Sequence, residues 1–158
     1  MLFIHNAKIT IFLKPEEYIG HNELIQKVHE LFHRLVPIDF EKEKVAIQEE
    51  IVESFENRKI KIYSLEIKKE MHTKTFIKTL KELLREEQCK KILEQKWSRL
   101  DDDLFFYIRL DKDAALKDIF ELTDSGDCIH IKMHVAAFPK NREAALKVVT
   151  EIFDSVSR

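Results

Sequence analysis

Cys128-Ile129-His130-Ile131-Lys132-Met133-His134-Val135-Ala136-Ala137 is the stretch on which the fold turns. Ile129, Ile131, Met133 and Val135 alternate with His130, Lys132 and His134. Successive side chains of a strand point to opposite faces, so this period of two predicts a strand with one apolar side and one cationic side. Upstream, Leu104, Phe106 and Ile108 alternate with Phe105, Tyr107 and Arg109 in the same way. Near the start of the chain, Ala7, Ile9, Ile11 and Leu13 alternate with Lys8, Thr10, Phe12 and Lys14 until Pro15 ends the run. Strands patterned like this bury one side only, so the sheet they build is expected to be covered on one face and open on the other.

Helical patterns supply the cover. Leu24, Ile25, Val28, Leu31, Phe32 and Leu35 form one stripe along His21 to Leu35, with Pro37 just beyond it. Thr73 to Trp97 reads as helix through Phe76, Ile77, Leu80, Leu83 and Leu84, with a break expected near Gln88-Cys89. Asn141 is placed to cap a last helix carrying Ala145, Val148, Val149, Ile152, Phe153 and Val156. Between the first two helices, Lys44 to Glu53 and Lys59 to Lys68 read as a hairpin turning at Phe55-Glu56-Asn57-Arg58, with a bulge at Ile62-Tyr63 where the alternation shifts. Ile119 to Leu122 suggests one more short strand before the turn Asp124-Ser125-Gly126-Asp127. The order predicts an α+β two-layer sandwich, largely antiparallel, with helices packed on one face and residues 1–158 forming one domain.

Composition agrees with an ordinary globular chain. Of 158 residues, 44% are hydrophobic and 35% charged, and Gly and Pro together supply only five, which excludes disordered and collagen-like classes. No apolar run approaches the roughly 20 residues that span a bilayer, and the first residues lack the basic n-region of a signal peptide. Cys89 and Cys128 are the only cysteines, too few for a disulfide framework, so a reducing, cytoplasmic setting is expected. The net charge of −2 names no partner. Its distribution says more, because residues 71–100 hold eight basic and four acidic groups inside an otherwise acidic chain.

Two groups of side chains suit a polyanion. Lys74, Lys78, Lys81 and Arg85 are spaced by four, three and four, which lines them along one side of a helix, where each can neutralise a phosphate. The bland alternative is a solvated amphipathic face, since Glu82, Glu86 and Glu87 lie close by. On the open side of the sheet, Phe105, Tyr107, Arg109, His130 and Lys132 mix rings with cations, the combination that stacks unpaired bases and grips phosphates. The alternative is that Phe12, Phe105 and Tyr107 are covered by another element or a second copy of the chain. His29 and His33 sit one helical turn apart but lack further ligands, and Asp101-Asp102-Asp103 point in different directions, so a polar helix face and a loop or cap are the expected readings. No phosphate loop, dinucleotide fingerprint or nucleophile elbow occurs. Neither a catalytic centre nor a cofactor or metal is implied.

Arg99-Leu100-Asp101-Asp102-Asp103, then Phe106-Tyr107-Ile108-Arg109-Leu110-Asp111-Lys112-Asp113-Ala114-Ala115, then Gly126 to Lys132 and Phe138-Pro139-Lys140-Asn141-Arg142-Glu143 form a recognisable series. It resembles the archaeal RNA-binding family often labelled predicted exosome subunit, whose members share the fold of the large-subunit ribosomal protein that contacts 5S RNA. The resemblance covers about residues 97–150 and is most specific from Arg109 to Lys112. It implies that Arg109 and Lys112 are the basic members of the signature and Asp111 its acid. Asp113 stands where the family usually has glutamine, and Leu116-Lys117-Asp118 where it has a glycine. Read from the residues, Asp111 either orients Arg109 or Arg99 or caps the following turn.

The expectation is a non-catalytic RNA-binding protein. Its contacts would come from Lys74, Lys78, Lys81, Arg85, Arg109, Lys112, His130 and Lys132, with Phe105 and Tyr107 stacking. Its partners would be RNA and either an RNA-processing complex or ribosomal components. The competing class is a protein-interaction or homodimerising module that uses the outer sheet face. A metal-dependent hydrolase would need Asp101 and Asp103 to converge with another carboxylate.

Overall fold

β1 (Ile4–Leu13) lies at the centre of the sheet, where its alternating Ala7, Ile9, Ile11 and Leu13 are wholly buried. The computed structural model describes residues 2–154. Pro15 ends β1 and opens the one-turn helix α1 (Pro15–Tyr18), because its fixed φ suits a first helical position while its missing N–H cannot extend a ladder. α2 (Asn22–Leu35) follows, then the hairpin β2 (Gln48–Glu53) and β3 (Lys59–Ile67), joined by a 3-10 turn at Phe55–Asn57. α3 (Glu70–Glu94) and the short α4 (Lys96–Arg99) lead to β4 (Phe105–Asp111) and α5 (Lys112–Ala115). β5 (Cys128–Val135) and α6 (Arg142–Phe153) complete the described elements.

The five strands run in the order β2-β3-β1-β5-β4, and every neighbouring pair is antiparallel. This is the expected α+β two-layer arrangement. Phe106, Ile108 and Leu110 of β4 join Ile129, Ile131 and Met133 of β5 on the inner face. Phe76, Leu80 and Leu84 of α3 and Val149, Ile152 and Phe153 of α6 pack into the same core. Asn141 caps α6 as expected, its side-chain oxygen accepting from the Ala144 N–H at 2.8 Å.

Several local expectations are corrected. β2 starts at Gln48 rather than Lys44, because Asp39 to Lys44 form turns closed by Glu43 N–H to Asp39 C=O and Val45 N–H to Phe40 C=O. β3 carries no bulge at Ile62-Tyr63. It stays in register with both neighbours, Tyr63 pointing into the core, and the irregularity lies in β1 between Ile4 and Asn6. The break in α3 falls at Arg85, with φ of 65°, instead of Gln88-Cys89. That bend lets Gln88 accept the Leu122 N–H at 2.9 Å. Ile119 to Leu122 forms a single bridge, Leu110 to Leu122, rather than a strand.

Candidate nucleic-acid interface

The helices cover the inner face, so the polar residues of β1, β5 and β4 look into solvent. Register decides which of them meet. Lys132 of β5 lies directly between Lys8 of β1 and Tyr107 of β4, and His130 lies between Thr10 and Arg109. Phe105 is opposite His134. Like charges placed opposite each other on a sheet repel, so the Lys8–Lys132 pair is a place where an anion lowers the energy of the fold.

Ring geometry fills in the surface. The Lys132 ammonium stands 4.2 Å from the Phe105 ring centroid and 5.9 Å from that of Tyr107. Phe105 stacks on His134 at 4.5 Å, and His134 meets His5 at 5.1 Å. His130 makes an edge contact with Phe12 at 5.6 Å. Burial, then the Arg109 charge, pushes the pKa of His130 down; burial, then His5 and Lys140, does the same for His134. Both rings are therefore neutral stacking partners at neutral pH.

Asp101 anchors this half of the sheet. Its Oδ1 accepts the N–H groups of Asp103 and Phe105 at 3.0 and 2.9 Å, and its Oδ2 accepts the Tyr107 hydroxyl at 2.9 Å. Burial alone would raise the Asp101 pKa, but these donors outweigh it and hold the carboxyl below its ordinary value. The Tyr107 hydroxyl is pushed up by burial and then by Asp101, so it stays a donor while the residue remains 37% exposed. Arg99 Nη1 donates to the Tyr107 carbonyl at 3.2 Å. Asp101 thus serves as a turn and ring anchor. Among the described residues, no group of three or more His, Cys, Asp or Glu is arranged to hold a metal ion.

Two expected contact residues lie inside the protein. Lys112 is 1% exposed, and its ammonium donates to the Phe12 carbonyl at 3.0 Å, Glu17 at 3.0 Å and Asp127 at 2.7 Å. Burial would lower its pKa, yet the hydrogen bonds it donates to Asp127 and Glu17 raise it overall, so it stays charged. This ammonium ties α1, β1 and the start of β5 together and has no face toward a ligand. Lys81 is 7% exposed, flanked along the helix by the buried Ile77 and Leu84. The four-cation stripe of α3 is therefore interrupted. Lys74 pairs with Glu70 at 3.2 Å, Lys78 is exposed, and Arg85 sits at the break. Because α3 packs its apolar side on the sheet, Lys74 and Lys78 look away from the open face and do not join Arg109 and Lys132.

Of the two roles open to Asp111, the geometry selects the cap: its Oδ1 accepts the Ala114 N–H at 2.8 Å and starts α5. Lys8 and His5 belong to the same surface as Lys132 and His134. The alternation of β1 puts Lys8 on the polar side, but only the β1–β5 register puts it beside Lys132.

Residues 16–135 match the protein family described as RNA binding. The chain belongs to that family. A relative within reach of direct alignment is the RNA-binding protein PAB1135 of Pyrococcus abyssi, 29% identical over 147 residues that make up 93% of this chain and 92% of that protein. Among solved structures, protein AF2318 from Archaeoglobus fulgidus is similar with a TM-score of 0.79 and 26% identity, covering 94% of this family member and 99% of that chain. Mth689 from Methanothermobacter thermautotrophicus shares the fold at a TM-score of 0.72 and 23% identity, covering 96% and 99%. Among the described residues, no helix of this family member is long and apolar enough to cross a membrane.

Proposed function

We propose that this protein binds RNA through the open face of β4, β5 and β1, as a binding module without catalytic chemistry. The observation that carries the reading is the juxtaposition of Lys8 and Lys132 beside Tyr107, Phe105 and Arg109 on a sheet face that no described helix covers. Lys8, Lys132 and Arg109 take phosphates, while the rings of Tyr107 and Phe105 take unpaired bases. His130 and His134 extend the ring surface. Exposed Lys74, Lys78 and Arg85 on the opposite layer contribute long-range attraction rather than contacts. Such a module fits RNA processing, with an exosome as the associated complex, or ribosome-linked work in the cytoplasm. The fold shared with the 5S-RNA-binding ribosomal protein belongs to the same reading.

The test is fluorescence anisotropy on single-stranded and hairpin RNA as a function of salt. Affinity that falls steeply with salt and is lost in Arg109→Glu/Lys132→Glu, but kept in Lys74→Glu/Lys78→Glu, supports the face. Binding lost only in the α3 variant overturns the placement. Absence of binding at about 50 mM salt, with dimers seen by sedimentation that Phe12→Lys dissolves, supports the homodimerising module instead.

A further inference from the structure

The two edges of the sheet are finished differently. Along β4, every second residue from Phe105 to Asp111 has an outward backbone group already bonded. The Asp101 N–H donates to the Phe105 carbonyl at 2.9 Å, Arg99 to the Tyr107 carbonyl at 3.2 Å and the Thr123 N–H to the Arg109 carbonyl at 3.1 Å; the Asp111 N–H reaches the Glu121 carbonyl at 3.0 Å. That edge is closed. β2, at the other end of the strand order, has only β3 beside it. The Ser54 N–H bonds to the Arg58 carbonyl, and the antiparallel alternation from that pair turns the N–H and C=O of Glu49, Ile51 and Glu53 outward. Among the described residues these outward groups have no hydrogen-bond partner, and all six residues of β2 are exposed.

Native proteins blunt such an edge with charged side chains, above all Lys, with Pro or with a bulge. β2 has no Lys, Pro or bulge; its only charges are carboxylates, which repel a like-charged strand but attract a basic one. It carries Ile51 exposed beside Val52, with Phe55 95% exposed at the hairpin tip. Its charge is of one sign. Residues 48–57 contain four Glu and no Lys or Arg. Glu49 is paired with Lys61 at 2.8 Å, whereas Glu50, Glu53 and Glu56 make no ion pair among the described residues. Glu50 and Glu53 project from opposite faces of the strand, so an added strand meets carboxylates on both sides. A second copy of β2 would set Glu against Glu, which disfavours self-pairing.

We infer that β2 is a docking edge for an extended, Lys- and Arg-rich segment of a partner protein, which adds as a sixth strand. The ladder to Glu49, Ile51 and Glu53 supplies the backbone recognition, and Glu50, Glu53 and Glu56 select for positive charge. The site is separate from the RNA-facing half of the sheet, so its test stands apart from RNA binding.

The probe is a short blocked peptide of alternating lysine and valine, with a glutamate–valine peptide as control, followed by amide chemical shifts and hydrogen exchange on the full chain. The expected result is saturable binding of the basic peptide with slowed exchange at the Glu49, Ile51 and Glu53 amides. Ile51→Pro removes one outward donor and should weaken binding about tenfold. Should that variant unfold, the exposed double change Glu50→Lys/Glu53→Lys must shift preference to the acidic peptide. Equal binding of both peptides, protection confined to other strands, no binding at millimolar peptide, or edge-mediated dimerisation without peptide would each overturn the inference.

Discussion

The open sheet face and the outer side of α3 both carry cations at regular spacing, and folding treats them in opposite ways. On the sheet, alternation is rigid: Arg109, Lys132 and Lys8 are all held outward because their strand neighbours Ile108, Ile131 and Ile9 are all held inward. On α3 the spacing of four, three and four leaves each cation at a slightly different angle, so Lys81 ends up buried while Lys78 stays exposed. The short helix α5 after β4 repeats the lesson, taking Lys112 into the fold only three residues beyond the exposed Arg109. A cation in a sequence motif is thus a ligand contact or an internal tie according to the element that carries it.

The largest expected effect sharpens that division from the inside. Lys112→Met should cost about 3 kcal/mol in chemical denaturation, since it leaves Glu17 and Asp127 facing each other without their shared ammonium. RNA affinity of the folded variant should be unchanged, and a large affinity loss at full folding would break the assignment. Next, Arg109→Glu/Lys132→Glu should weaken RNA binding about 100-fold at ~50 mM salt and flatten the salt dependence. Tyr107→Ala should cost about tenfold on single-stranded RNA while leaving the salt slope unaltered, as loss of one stacking platform requires.

A smaller effect comes from pH. His130 and His134 have pKa values depressed below the ordinary histidine value near 6.5. Their neutral forms therefore stabilise the fold above the unfolded value, and that contribution is lost as pH falls toward the folded values. Lowering pH from 7 to 5.5 should weaken the free protein in denaturation while strengthening RNA binding about threefold, because protonation adds charge to the face. The two trends have opposite signs, and His130→Gln/His134→Gln should abolish both. Smallest of all, Lys74→Glu/Lys78→Glu should change affinity by less than about threefold, and a greater loss would return the α3 stripe to the interface.

What the sequence made legible follows from periodicity. β1, β4, β5 and the helices could be read because half-buried elements write their orientation into every residue, and the outer residues Phe105, Tyr107, Arg109, His130 and Lys132 came with them. β2 was harder, since the alternation of Val45, Ile47 and Ile51 runs across its start. Val45 and Ile47 pack half-buried before the strand, whereas the strand itself is fully exposed and has no buried side to mark it. The break at Arg85 was displaced because no local propensity marks an arginine for positive φ, and the bond from the Leu122 N–H to Gln88 that goes with the bend is tertiary. Lys8 and Lys132 lie 124 positions apart, and only strand register makes them neighbours. The fate of Lys112 depended on Glu17, 95 positions before it, and Asp127, 15 positions after it, converging on one ammonium.

The strict alternation along β5 has one further consequence. A strand with core residues on one side and ligand residues on the other behaves like text with a reading frame. Inserting a single residue between Ile131 and Lys132 would exchange the two sets beyond it, sending Lys132 and His134 toward the core and exposing Met133 and Val135. The turn at Asp124-Ser125-Gly126 carries no such frame, so a length change there should be tolerated where one in β5 is not.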